Sequence, residues 1–318
     1  MDRASADGLV SVVVPTYGRR PDFLRAAVES VAAQTYDPVE LIVVDDSPEA
    51  SATAVCEPFA SEMATLRVID DRDHDGAGAA RNTGIRAADG SLVAFLDDDD
   101  EWHDTKLSRQ CTRLEAAPEA SLVVTGQQYV RNGTPTGSRL PDVSGDVTEA
   151  LLTGSRLCPF SSAMVRAEAV DAAGPIDERF PVWEDLEWYV RLSRAGAVAT
   201  VDRPLVRRRM GDHEQLTDTF DSLRDVAYPL FVRKHRPLAA SLGERVEREF
   251  VASLAREVAT AGLGAERFDD AVAFARRSIR ANPRAPAGYL LYGVARSGPF
   301  GLRLARALRR RFASLNVA

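Results

Sequence analysis

Short apolar runs and amphipathic stretches alternate through the first third of the chain. The runs at 9–14, 40–44, 66–69 and 92–96 read as strands, and the stretches at 23–31, about 78–87 and about 104–114 read as helices. Continuously apolar strands separated by helices are the pattern of a parallel sheet covered on both faces, so the spacing predicts a doubly wound α/β fold. From about 122 to 209 the pattern is mixed, with a Gly/Pro/Ser/Thr-rich loop at 131–145, a short strand near 163–165 and a helix opening at Glu184. Past Gln215 nearly everything reads helical, broken near 261–264 and at Pro283 and Pro286. Inside that helical tail, 271–294 has the small and large apolar spacing of one tetratricopeptide-type helix pair. A single such unit cannot stack into a solenoid, so two packed helices are expected.

The composition changes this picture little. A 318-residue chain with 45% hydrophobic residues can bury a real core, and a net charge of −7 argues against bulk nucleic-acid binding. No run approaches the roughly 18 residues needed to span a bilayer, and the N-terminal stretch lacks a secretory signal, so a cytoplasmic protein is expected. Cys56, Cys111 and Cys158 are far apart and form no C-x-x-C pair, which points to reduced core thiols. Lys106 and Lys234 are the only lysines, a bias that carries no function.

In parallel sheets ligands bind beyond the carboxyl ends of the strands, and here those ends carry Pro15-Thr16-Tyr17, Asp45-Asp46-Ser47 and the four aspartates 97–100. Adjacent carboxylates repel unless a cation or hydrogen-bond donors compensate. In an extended segment Asp97 and Asp99 point the same way, so they can share one ligand, and oxygen-only ligands favour Mg²⁺ or Mn²⁺. A solvated acidic loop is the competing reading, disfavoured by the position after a buried strand. The pair Asp45-Asp46 can accept from a base N–H or a ribose hydroxyl, or can serve as a capping region for the next helix. Gly76, Gly78 and Arg81 stand at a helix start, where free N–H groups suit a diphosphate or merely cap the helix. Glu184 and Asp185 open a helix beside Trp183, where a carboxylate can act as general base or only complement the dipole. His213 follows the run Arg207-Arg208-Arg209 and is either a metal or diphosphate contact or a surface histidine.

Five segments in this order, SVVVPTYGR at 11–19, ELIVVDDSP at 40–48, GAGAARNTGI at 76–85, FLDDDDEWH at 95–103 and WEDLEWYVRLSRAG at 183–196, resemble the inverting family 2 glycosyltransferases of GT-A fold. The resemblance covers about 9–215 and implies a doubly wound mixed sheet. It implies a GT-A domain over 1–215, with a nucleotide-binding half over about 9–120 and an acceptor half over about 121–215, and the helical pattern adds a C-terminal helical tail over 216–318. By the same resemblance Pro15, Thr16 and Tyr17 line the nucleotide pocket and Asp45 contacts the base, with Asp46 beside it. Gly78 and Arg81 lie near the base or diphosphate, Asp97 and Asp98 face the donor sugar nucleotide with Asp97 towards the ribose, and Asp99 is the principal ligand of Mg²⁺ or Mn²⁺ beside Asp97; His213 joins that ligand set only on the reading of its own loop. Asp185 is the base, with Glu184 next to it. The implied partners are a nucleotide-sugar donor, most commonly UDP-linked, and a glycan or lipid-linked acceptor. The Q-x-x-R-W element of processive synthases is absent, so transfer of single sugars is expected.

A sugar-phosphate nucleotidyltransferase is the rival enzyme, but it calls for a glycine-rich basic loop after the first strand, where PTYGRR has a single glycine. A non-catalytic scaffold is the rival of another class. The last helix sets Leu302, Ala305, Leu308, Phe312 and Leu315 opposite several arginines, compatible either with peripheral contact at the inner membrane face or with packing on the tail.

Overall fold

Val10, Val12, Val13 and Val14 have no exposed surface, because their strand lies at the centre of a sheet covered on both faces. The computed structural model describes residues 6–18, 20–47, 52–71, 76–211 and 220–315. Strands β1 (Ala6–Thr16), β2 (Val39–Asp45), β3 (Thr65–Asp70) and β4 (Gly90–Phe95) run parallel in the order β3-β2-β1-β4. They are joined through α1 (Pro21–Ala32), α2 (Ala52–Cys56) and α3 (Ala77–Ala87). The chain steps outward from β1 to β3 and then returns through α3 to the opposite side of β1. The carboxyl ends of β1 and β4 therefore flank a topological switch point, where such sheets open a crevice. Register aligns Thr16 with Asp45 and Asp45 with Asp70, a polar row along that edge. Helix α3 lies close on β1: a Cβ at Gly84 would stand 2.3 Å from Val13 Cγ1.

The sheet continues with β5 (Asp100–Trp102), α4 (Lys106–Glu115), β6 (Ala120–Arg131), β7 (Thr134–Arg139), α5 (Thr148–Leu152), β8 (Ala163–Arg166), α6 (Ala167–Ala173), α7 (Glu184–Ala195) and β9 (Ala197–Arg209). The whole order is β3-β2-β1-β4-β8-β6-β9-β5, with β7 on β6. Because β8 runs antiparallel to both β4 and β6, the sheet is mixed. The predicted strands and helices of the first third coincide with these elements to within three residues, the strand predicted at 92–96 ending at Phe95 and the helix predicted from about 104 starting at Lys106. The loop expected at 131–145 is corrected: its first part is a hairpin, with β6 running to Arg131 and β7 returning from Thr134. Asn132 and Gly133 both take positive φ, 49° and 75°, the conformation that an Asn-Gly turn supplies to a two-residue hairpin.

Contacts divide the chain into two compact units, Met1–Leu151 with Arg156–His213, and Leu152–Ser155 with Glu214–Ala318. The second unit is helical: α8 (Phe220–Ser222) and a π-turn, then α9 (Tyr228–Ser241), α10 (Glu244–Gly264), α11 (Phe268–Ala281), α12 (Pro286–Arg296) and α13 (Gly298–Leu315). Helices α11 and α12 are the expected packed pair, closed by Leu263, Ala271, Ala295 and Leu302. The break expected at 261–264 is corrected, since α10 runs through Gly264 and the chain turns at Glu266, whose φ is 59°. Gly262 is there because Phe220 approaches to 3.2 Å of where a Cβ would sit. All three cysteines are free and buried, and burial pushes each thiol up to about 11, the inert state expected of core residues. Among the described residues no helix is long and apolar enough to cross a membrane. In the terminal helix, the side chains of Leu308, Phe312 and Leu315 lie outside the described residues.

Candidate active site

The four aspartates after β4 do not continue as an extended segment. They turn, with the Asp100 N–H donating to the Asp97 carbonyl at 3.0 Å, and the turn sorts the side chains differently from simple alternation. Asp97, Asp99 and Asp100 each bring a carboxylate oxygen within 4.8 Å of the others. Asp98 faces the other way, towards β1, where the Thr16 hydroxyl donates to its Oδ2 at 2.6 Å across the switch point. Thr16 Oγ1 in turn accepts the Gly18 N–H at 3.2 Å. Burial lifts the Asp98 carboxyl to about 6 against the pull of the Thr16 bond, helped by its acidic neighbours.

Asp100 is nearly inaccessible, and burial first and the charges of Asp99 and Asp97 next raise its carboxyl well above the ordinary range. Its Oδ1 has no hydrogen-bond partner. Three converging carboxylates with one buried, unpartnered oxygen form a donor set that fits a hard divalent cation. The expected ligand set of Asp97 and Asp99 therefore gains Asp100. His213, the third expected ligand, lies outside the described residues.

Arg81 ties this cluster to the start of α7. It points from the second turn of α3, its Nη2 donates to Asp97 Oδ1 at 2.5 Å, and its Nη1 reaches Glu184 Oε1 at 3.5 Å. Its guanidinium lies 4.3 Å from the centroid of the Phe160 ring. Burial works against the charge, yet Asp97 and Glu184 hold Arg81 firmly protonated. The next residue, Asn82, sets the approach to α7: its amide donates to the Ile176 carbonyl and Glu178 Oε1, both at 2.8 Å, and its oxygen accepts the Ile176 N–H at 2.8 Å.

Trp183 enters α7 in the left-handed region, φ 66°, and swings Glu184 and Asp185 into the first turn. The same helix is pinned further along. Trp188 Nε1 donates to the Gly174 carbonyl at 2.9 Å, while buried Glu187 grips Arg191, which also bonds the carbonyls of Ala173 and Gly174. The spacing in EDLEWYVR thus separates the two functions: Glu184 and Asp185 face the site, and Glu187, Trp188 and Arg191 fasten the helix to the end of α6. Burial raises the Glu184 carboxyl to about 7, with Asp185 adding and Arg81 opposing. Asp185 is also raised by burial, countered by the Leu186 N–H, which its Oδ1 accepts at 2.6 Å, and by Arg81 and Arg156. A half-buried carboxylate with elevated proton affinity fits a general base working near neutral pH.

The remaining candidates occupy the same edge. Pro15 is buried at the end of β1 and Tyr17 stands 49% exposed above it. Asp45 is inaccessible, and both its oxygens are engaged: Oδ1 accepts the Ser47 N–H at 3.1 Å and hydroxyl at 2.5 Å, and Oδ2 accepts the Ala52 N–H at 3.1 Å. This is the helix-capping arrangement the sequence left open. Asp46 is half-buried and its N–H donates to the Thr16 carbonyl. A Cβ at Gly78 would meet Ile176 at an ordinary 3.6 Å, so sterics alone do not demand glycine there. Two participants carried no sequence signal, Phe160 and Ser161, which sit in a short turn with no periodicity and act across large sequence separations, while Asp100 lay in the aspartate run but was not told apart from its identical neighbours.

Residues 11–172 match glycosyl transferase family 2. The chain belongs to this family. It is 25% identical over 190 residues to the glycosyltransferase AglE of Haloferax volcanii, covering 59% of this chain and 62% of AglE. It is 31% identical over 133 residues to the uncharacterized glycosyltransferase EpsJ of Bacillus subtilis, covering 42% of this chain and 37% of EpsJ. The chain spans less than two thirds of the length of these relatives. Residues 1–349 of S. aureus TarS superpose with a TM-score of 0.63 at 17% identity, over 95% of this chain and 91% of that one. That likeness shows the family 2 chain to have the GT-A fold. TarS 1–349 has also been solved with UDP-GlcNAc, and that complex superposes with a TM-score of 0.60 over 91% of each chain.

Proposed function

We propose that the chain is a glycosyltransferase that moves single sugars from a UDP-linked donor to a glycan or lipid-linked acceptor, with inversion at the anomeric carbon and in dependence on Mg²⁺ or Mn²⁺. The observation that carries this reading is the convergence, at one switch point, of Asp97, Asp99 and Asp100 with Glu184 and Asp185 through the single guanidinium of Arg81. The UDP-GlcNAc complex of TarS supports the choice of donor class.

In this scheme Asp97, Asp99 and Asp100 hold the divalent cation, which when bound offsets charge on the diphosphate leaving group. Pro15, Thr16 and Tyr17 border the nucleotide, with the start of α3 directing free N–H groups toward the diphosphate. Asp185 takes the proton of the acceptor hydroxyl as that oxygen attacks the anomeric carbon in line with the departing diphosphate. One displacement inverts the carbon, so no side chain acts as a covalent nucleophile. Arg81 keeps Asp97 and Glu184 at fixed separation and so sets the distance between donor and base. The first unit is the catalytic domain, with its nucleotide half before about residue 120 and its acceptor half after it. The reduced thiols favour a cytoplasmic setting, and the exposed arginines of α13 a position at the inner face of the membrane.

Calorimetric titration with UDP and UDP-GlcNAc, with and without Mn²⁺, tests the donor site. Metal-dependent binding to wild type that Asp99→Asn abolishes is the expected result; no binding by folded wild type would overturn the reading. Consumption of a nucleoside triphosphate and a sugar phosphate would instead support a nucleotidyltransferase.

A further inference from the structure

The turn Phe160–Ser162 precedes β8, lies outside the five segments that mark the family, and is inaccessible to solvent. Each of its residues meets a different part of the site. The Phe160 ring lies beneath the Arg81 guanidinium. The Ser161 hydroxyl oxygen accepts the Asp97 N–H at 3.1 Å, and its proton is donated to the Asp100 carboxyl. One hydroxyl thus fixes both ends of the aspartate turn. Its donation occupies one side of the Asp100 carboxyl and leaves Oδ1 as the unpartnered oxygen.

The turn is itself held from below. Trp102 Nε1 donates to the Ser161 carbonyl at 2.8 Å, and Gln110 Nε2 donates to the carbonyls of Ser162 at 2.9 Å and Val123 at 3.1 Å. Gln110 Oε1 accepts from the fully buried Lys106 Nζ at 2.7 Å, and that amine rests 3.8 Å from the centroid of the Trp102 ring. Trp102 belongs to β5, the strand that the aspartate turn enters, so the turn and its support close a loop of contacts through the core. Buried polar networks whose members satisfy one another fix a single geometry.

We propose that Ser161 is a positioning residue for the cation site: its hydroxyl sets the Asp97–Asp100 turn so that Asp97, Asp99 and Asp100 converge and Asp100 Oδ1 is left free to ligate. The proposal rests on the metal-dependent reading above. Outer groups that orient ligating carboxylates are worth about 10- to 100-fold in metal affinity. Ser162 supplies the control, because its hydroxyl donates to the Pro159 carbonyl at 2.7 Å, within the turn and away from the aspartates.

The experiment titrates Mn²⁺ into the full chain with saturating UDP, following free Mn²⁺ by electron paramagnetic resonance, for wild type, Ser161→Ala and Ser162→Ala, with a thermal melt of each. The expected result is an affinity for Mn²⁺ about 10-fold or more weaker in Ser161→Ala, with Ser162→Ala close to wild type and both variants melting cooperatively. Equal weakening in the two variants would reduce Ser161 to a generic part of the turn and overturn the proposal, as would wild-type affinity in Ser161→Ala. Wild type that binds no Mn²⁺ would instead overturn the metal reading, and the positioning role with it.

Discussion

Arg81 and Glu184, 103 positions apart, meet at 3.5 Å while the other arm of the same guanidinium holds Asp97 at 2.5 Å. A planar fork can serve two carboxylates at once, which a lysine ammonium at the same place cannot do in the same geometry. Arg81→Lys keeps the charge and loses the bridge. Hydrogen bonds to charged groups are worth about 1.5–3 kcal/mol, so sugar transfer at saturating donor is expected to slow by about 10- to 100-fold. A rate within twofold of wild type would show that the bridge has no part in aligning donor and base.

Glu184 gives the site a pH dependence of predictable sign. Its carboxyl is raised to about 7 by burial and by Asp185, so the fold favours its protonated form. A raised folded value means a stability contribution that is complete below the ordinary carboxylate range and is lost as pH climbs through about 7. The ligand-free protein should therefore melt at lower temperature at pH 7.5 than at pH 5.5, and Glu184→Gln should flatten that slope. Melting curves across this range check the point; a slope unchanged in Glu184→Gln would assign the effect to other groups, Asp98 at about 6 being the next candidate.

Among the four aspartates, the turn separates roles that their identity conceals. Asp98→Asn retains an oxygen for the Thr16 hydroxyl and takes nothing from the trio formed by Asp97, Asp99 and Asp100. Its Mn²⁺ affinity should stay within about threefold of wild type, whereas Asp99→Asn should lose at least about tenfold. Calorimetry with Mn²⁺ and UDP distinguishes the two variants, and the reverse ranking would place the cation on the Thr16 side of the turn.

The alternation of apolar runs and amphipathic helices was enough to read the parallel half, because strands buried on both faces leave continuous apolar segments such as 41–44. It was not enough for β5 or β7, where DEW is too short to show a period and TPTGSR is exposed on an edge. At the site, residues next to strand ends were legible because the switch-point rule names their location. The grouping of Asp97, Asp99 and Asp100 was not legible, since it depends on a turn closed by Ser161, some 60 positions away in the chain. Asp45 shows the same limit from the other side. A strand-end aspartate can meet a ligand or cap a helix, and only the bonds from Ser47 and Ala52 reveal that its oxygens serve the loop.

The packing of α3 on β1 places a last constraint on the site, because Arg81 and Asn82 hang from that helix. Gly84 lies one turn beyond Arg81 and faces Val13, whose Cγ1 would stand 2.3 Å from an added Cβ and whose side chain is itself fully buried. Real Cβ atoms do not approach so closely, and the added Cβ would also stand 3.0 Å from Val13 Cγ2 and 3.2 Å from Val13 Cβ, so turning the valine alone does not relieve the contact. Gly84→Ala must therefore push α3 outward, and overpacking of this kind costs about 1–3 kcal/mol. Displacing α3 also moves Arg81 relative to Asp97. The variant is expected to unfold at lower denaturant concentration and, while still folded, to bind UDP-GlcNAc more weakly. Unchanged stability would mean that the helix and the strand are not in the close contact that holds Arg81 in place.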